Sequence, residues 1–191
     1  NVSTSEGTFP RQGLYSVDYD NDWSSCTGFE INLDETPGEV RAALTLGPVQ
    51  LVYKADAVAS VRFIGGVVRF QQEVLPFDQG ILAPASLKSV GNAGHMMLAT
   101  DYQLYTVSGG QVKAVPPRVT DKLQSTLDSA YAPWATAAVD SDKDTYYLFY
   151  RTSATDSFNR GRIAYNFRTG EFAHRTYAGH EFLDALGFRF S

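Results

Sequence analysis

The stretch "VQLVYKADAVASVRFIGGVVRFQQEV", Val49 to Val74, decides how the rest of the chain is read. It holds apolar runs of strand length at Val49–Tyr53, Val58–Ile64 and Val67–Val74. β-Branched and aromatic residues dominate them, which suits a pleated, half-buried surface. The last two runs meet at Gly65-Gly66, and paired glycines supply the positive φ angles that a tight hairpin demands. The stretch predicts an antiparallel meander.

The same rhythm continues downstream. His95–Thr100 and Gln103–Ser108 read as a hairpin closed by "TDY", and Gly109-Gly110 turns the chain into Gln111–Val115. Ala135–Val139 and Thr145–Arg151 are joined by "DSDKD", and Arg162–Phe167 and Glu171–Tyr177 by "RTG". Strong strand segments centre near Val17, Val61, Tyr105 and Phe149, so the steps 61 − 17, 105 − 61 and 149 − 105 are all 44 residues. Blades of β-propellers repeat at about 40–50 residues with four strands each. The expected fold is all-β: a β-propeller or partial propeller of about four blades made of short antiparallel hairpins, forming one domain over residues 1–191. One segment departs from it. Val119, Leu123 and Leu127 have helical spacing, with Thr120 or Asp121 as cap and Pro133 as stop, which predicts a short helix near 119–130. "LDETPGE" (33–39) reads as a loop and "ILAPASLKSVGN" (81–92) as a crossover.

Composition narrows the function classes. Hydrophobic residues at 43% can fill a substantial core. The net charge of -5, without any Lys/Arg block, argues against binding nucleic acid through a basic surface. The lone Cys26 allows no intramolecular disulfide and no cysteine-based zinc site. No apolar run approaches the roughly 18 residues of a membrane helix. Asn1-Val2-Ser3 fits a glycosylation sequon, and the Asn at position 1 suits a piece of a longer polypeptide.

The order of these pieces resembles the β-propeller structural proteins of tailed-bacteriophage necks and tails, which form hubs, nozzles or adaptors. Their propeller region shows a "vYKe-aiy-v-fvGG-f-f" blade, similar to "LVYKADAVASVRFIGGVVRF" (51–70) here. A "G-lap-svv-vg--hffl--ddvy-ydG--v-pi" blade and a short helix follow, and "GILAPASLKSVGNAGHMMLATDYQLYTVSGGQVKAV" (80–115) is similar. Hairpins of the form "vdp--kevwi-Y" and "alvYNw-tg-W" come last, like "AAVDSDKDTYYLFYR" (137–151) and "RIAYNFRTGEFAHRT" (162–176). The resemblance spans residues 45 to 178. The chain departs at Phe172, where the family more often has Trp, and in being short for a closed propeller. The resemblance implies a virion structural protein, not an enzyme, that needs no cofactor and no small-molecule substrate. Its partners would be other tail or neck proteins and copies of itself in a symmetric ring. DNA would pass through the lumen without specific binding, and an acidic lumen would suit that passage.

Candidate chemical sites are sparse. Asp18, Asp20 and Asp22, and again Asp140, Asp142 and Asp144, have the alternate spacing with which a tight loop aims oxygens at calcium. Both sets also read as acidic turns, since Asp favours turns. The histidines, His95, His174 and His180, lack the local spacing of a metal site. Paired carboxylates for glycoside hydrolysis would have to converge, whereas Glu30, Glu73 and Glu171 stand on strands expected to turn them outward. The alternative reading is a carbohydrate-binding or glycoside-hydrolase propeller domain, with Trp23 and Trp134 as stacking candidates. Aromatic density is the feature closest to function. Tyr146, Phe149 and Tyr150 on one strand, and Trp23, are candidate interface residues if they face outward, or core if neighbouring sheets cover them.

Overall fold

The computed structural model describes residues 3–4, 7–8, 12–15, 29–33, 36, 38–65 and 70–177. Two short antiparallel pairs come first, β1 (Ser3–Thr4) with β2 (Gly7–Thr8) and β3 (Gln12–Tyr15) with β4 (Phe29–Asn32). Three four-stranded antiparallel sheets follow, each a meander in chain order. The first contains β5 (Val40–Leu46), β6 (Val49–Lys54), β7 (Val58–Phe63) and β8 (Phe70–Val74). The second contains β9 (Lys88–Ser89), β10 (His95–Leu98), β11 (Leu104–Ser108) and β12 (Gln111–Ala114). The third contains β13 (Thr136–Asp140), β14 (Thr145–Tyr150), β15 (Gly161–Asn166) and β16 (Phe172–Thr176). Helix α1 (Pro117–Thr126) and a 3-10 helix at Ser129–Trp134 lie between the second and third sheets.

The all-β expectation holds for the described residues, with corrections of detail. Sheets begin at Val40, Lys88 and Thr136, steps of 88 − 40 and 136 − 88, both 48 residues. The 44-residue phase therefore slips: Val61 and Tyr105 lie on third strands, but Phe149 lies on a second strand. The slip arises because the sheets step by 48 rather than 44 residues and because the ten-residue loop 151–160 delays the third strand of the last sheet to Gly161. Helix α1 starts before Val119, with Pro116 as N-cap and Pro117 at the first position. Proline is suited there, because it lacks an N–H that the first turn cannot satisfy anyway. Thr120 and Asp121 thus lie inside the helix rather than capping it. Within the three sheets two strands escape the sequence reading, β5 and the two-residue β9, as do the two-residue β1 and β2 ahead of them. At the founding hairpin Gly65 has φ 73°, the left-handed region that the turn requires. Its partner Gly66, together with Val67–Arg69, Val17, Asp18, Asp20, Asp22, Trp23, Cys26 and His180, lies outside the described residues.

Alternation along the strands sends apolar side chains to both faces of the central sheets, and each face finds a neighbour. Leu51, Tyr53 and Val58 of the first sheet pack with Met97, Ala99 and Val107 of the second. The other face of the second sheet, through Met96, Leu98 and Leu104, packs with Tyr146, Leu148, Tyr150 and Ile163 of the third, and Val119 and Leu123 of α1 join this cluster. The far face of the first sheet carries Val52, Ala59 and Val61, which pack with Leu33. The sheets therefore stack face to face in chain order, and strands buried on both faces read as near-continuous apolar runs.

Polar side chains pin the stack. Buried Lys54 donates from Nζ to the Leu33 carbonyl at 2.6 Å, to Thr36 Oγ1 at 2.9 Å and to the Thr36 carbonyl. His95 is fully buried between the first two sheets. Its Nε2 lies 3.0 Å from the Thr45 carbonyl, and its Nδ1 lies 2.9 Å from Tyr53 Oη. A carbonyl only accepts, so Nε2 carries the proton, Nδ1 is bare, and Tyr53 donates to it. Burial pushes the His95 imidazole below its ordinary pKa, opposed by the Thr45 hydrogen bond. His174 is shifted down likewise, by burial and then by the Lys122 charge.

Both shifts have the same consequence for stability. The unfolded chain binds these protons more readily than the native one, so stability is complete above the unfolded value of about 6.5 and falls as pH drops towards the lowered native values. Denaturant midpoints measured from pH 7.5 to 5 are expected to decline below about pH 6.5. Each histidine contributes at most about 1.4 kcal/mol per pH unit. His95→Gln is expected to flatten the decline, His174→Gln to remove the remainder, and an unchanged slope in both variants would refute the assignment.

Candidate functional site

A wide opening among the described residues follows from how the second and third sheets separate. Near β9 and β13 the two sheets touch directly. Farther along β11, side chains on the face towards the third sheet change from buried Leu104 to half-buried Thr106 and exposed Ser108. Helix α1 fills the wedge. Arg118 Nη2 donates to the Gly170 carbonyl at 2.8 Å, and Thr126 Oγ1 meets Tyr150 Oη at 2.7 Å, which ties the helix to the third sheet. Gln124 Nε2 reaches the Asp101 carbonyl at 3.2 Å and ties it to the second.

What α1 leaves unfilled is a cleft of about 910 Å³. Gln103, Thr106, Ser108, Gln111 and Lys113 form one wall, Thr120, Asp121 and Gln124 of α1 the other, and Tyr165 and Phe167 the end. A smaller crevice of about 430 Å³ shares Ala93 and Phe167 with it and continues to Asp144 and Arg168. Of these residues only Asp144, in the crevice, is a site candidate in the sequence. The available signal is the polar drift along an otherwise inward-facing strand, Leu104, Thr106, Ser108, against a helix that carries Asp121 and Gln124 among its exposed positions.

The other sequence candidates fall elsewhere. Tyr146 and Tyr150 face the interior, both at 0% exposure, and do not form an outward patch. Tyr146 Oη donates to the Ser86 carbonyl at 2.7 Å. The second sheet and α1 cover that face of β14. Phe149 points to the opposite face and is buried too. That face carries an arginine–aromatic ladder. The Arg162 guanidinium lies 5.4 Å from the Tyr147 ring and 5.3 Å from Tyr177, and that of Arg175 lies 4.9 Å from Tyr177. Trp134 is exposed on the 3-10 helix, 5.2 Å from the Tyr131 ring and away from the cleft.

The Asp140, Asp142 and Asp144 turn is committed to ion pairs. Asp140 meets Lys143 at 3.1 Å, which holds its carboxyl below the usual range, and Asp144 meets Arg168 at 2.9 Å. Among the described residues no group of three or more His, Cys, Asp or Glu side chains is placed to share a metal ion. Glu73 and Glu171 are exposed on different sheets. Asp156 is the one buried carboxylate described. It accepts from Thr152 N at 3.1 Å, Thr152 Oγ1 at 2.9 Å and Ser153 N at 3.1 Å, and pairs with Arg160 at 2.9 Å. Burial raises its pKa, but Thr152 and Arg160 overcome that and hold it low, so Asp156 organises the loop after β14 rather than offering a proton. No described helix is long and apolar enough to cross a membrane. Compared with known families and curated proteins, the chain matches no family model and no curated sequence.

Proposed function

We propose that this chain is a structural component of a tailed-phage neck or tail, a propeller-like body that assembles into a symmetric ring around the path of DNA ejection. One observation carries the reading: consecutive four-stranded meanders begin 48 residues apart and stack face on face in chain order. That is how sectors of a radial body are built. The contact of β9 with β13, and the opening of the second and third sheets towards their last strands, support a fan with first strands innermost. The work of such a part is geometric, to hold rigid surfaces in register for its neighbours. Partners in this reading are copies of itself and other tail proteins, and DNA passes without being read. The first strands and their flanks carry both signs, Glu39 with Arg41, Lys88 and Asp140, so a lumen built on them would be near neutral rather than strongly acidic.

Negative-stain electron microscopy and mass photometry of the purified protein test the proposal. Rings of fixed copy number at micromolar concentration are the expected result. A protein that stays a single 21.0 kDa chain at every concentration, and hydrolyses glycosidic bonds in a polysaccharide screen, would overturn it.

A further inference from the structure

We infer that the cleft between the second sheet, helix α1 and β15 binds a neutral oligosaccharide. The first argument is shape. The cleft of about 910 Å³ adjoins, at Ala93 and Phe167, the crevice of about 430 Å³. Space elongated in this way fits a chain of sugar rings better than one compact metabolite.

The second argument is the chemistry of the walls. Gln103, Gln111 and Gln124 present side-chain amides, each a donor and an acceptor from one planar group, which matches vicinal hydroxyls. Among the described residues, Gln124 is the only polar side chain of the walls that makes a hydrogen bond. The rest of this donor and acceptor set is uncommitted. Lys113 stands on one wall and Asp121 on the other, so the charges cancel and no net charge on the ligand is favoured. Phe167, at the junction of the two openings, supplies an apolar face for a pyranose ring.

The third argument is Thr120. It borders the cleft at 7% exposure, and its Oγ1 is buried without a hydrogen-bond partner. An unsatisfied buried hydroxyl is costly, and rotation about χ1 towards a ligand hydroxyl relieves it.

Saturation-transfer NMR and calorimetry with maltohexaose, cellohexaose and chitohexaose test the inference on the full chain. At least one hexasaccharide is expected to bind, and Gln103→Ala with Gln111→Ala to weaken it at least tenfold with an unchanged melting profile. Thr120→Val removes the orphan hydroxyl without loss of volume. It is expected to keep or raise the melting temperature while lowering affinity, an opposition that a purely structural threonine would not produce. The inference is overturned if none of the three sugars binds, or if binding survives both sets of substitutions unchanged. Ring formation is measured separately, so either result leaves the assembly proposal to its own test.

Discussion

Gly80→Ala is expected to destabilise the protein by about 3 kcal/mol or more, among the largest effects of any single methyl group in this chain. Gly80 lies where the chain leaves the first sheet for the second. A Cβ built on it would sit 1.9 Å from the Ala55 carbonyl oxygen and 2.4 Å from the Asp56 nitrogen. These are backbone atoms, which cannot swing aside like a side-chain tip. Both sides of the crossover are also fixed: Ile81 N donates to the Lys54 carbonyl at 2.9 Å, and Thr100 N donates to the Gly80 carbonyl at 3.1 Å. To admit the methyl group, the first sheet must part from the second, which also opens the cluster around Leu51, Tyr53 and Ile81. Urea unfolding of Gly80→Ala measures the loss. Gly65→Asn is the contrast, since Gly65 has open space around its Cβ position and asparagine tolerates the left-handed region. It is expected to cost less than about 1 kcal/mol. Equal midpoints for Gly80→Ala and the parent would mean that the two sheets are not sealed at this crossover.

Tyr146→Ala is expected to cost about 4 kcal/mol, within the range for removing a buried aromatic ring. The ring is fully buried between the second and third sheets, where nothing can collapse into the space without moving a strand. The hydroxyl adds a separate part. Its acceptor, the Ser86 carbonyl, belongs to the 3-10 turn at Pro84–Ser86. The Ser86 hydroxyl is a second node, donating to Ala83 O at 2.6 Å and accepting from Leu98 N at 2.9 Å. Tyr146 thus joins the third sheet to the turn that precedes β9 and to β10. Burial raises its pKa far above the ordinary tyrosine value, so the phenol stays a donor at any working pH. Tyr146→Phe keeps the ring and strands the carbonyl, for which about 1–2 kcal/mol is expected. The ratio between the two variants, read from denaturant midpoints, separates packing from hydrogen bonding. A Tyr146→Ala loss below about 1 kcal/mol would place this side chain outside the core.

The two substitutions mark the boundary of what sequence reading reaches. Strands such as Val58–Phe63, Leu104–Ser108 and Thr145–Tyr150 were legible because β-branched and aromatic runs between Gly and Asp turns carry their structure locally. β5 was missed because "VRAALTL" mixes alanine and leucine, which suit a helix as well as an edge strand. The two residues of β9 are too few to show a period. Alternation tells that Tyr146 and Phe149 go to opposite faces, but not that both side chains are buried. The cover over Tyr146 comes from residues as distant as Ser86 and Met96.

By itself the sequence determined the local order of the protein: short antiparallel strands, their turns, one amphipathic helix and the absence of a cysteine framework. These are set by side-chain type and by a two-residue period that the covalent chain imposes wherever the strand lies. Only the tertiary structure decided that His95 is a neutral strut, that Lys54 holds a loop and that Gly80 admits no methyl group. It also decided that Gln103, Thr120 and Phe167 share one cleft. Each of those roles depends on which sheet face meets which neighbour across tens of residues, and packing, not local periodicity, makes that choice.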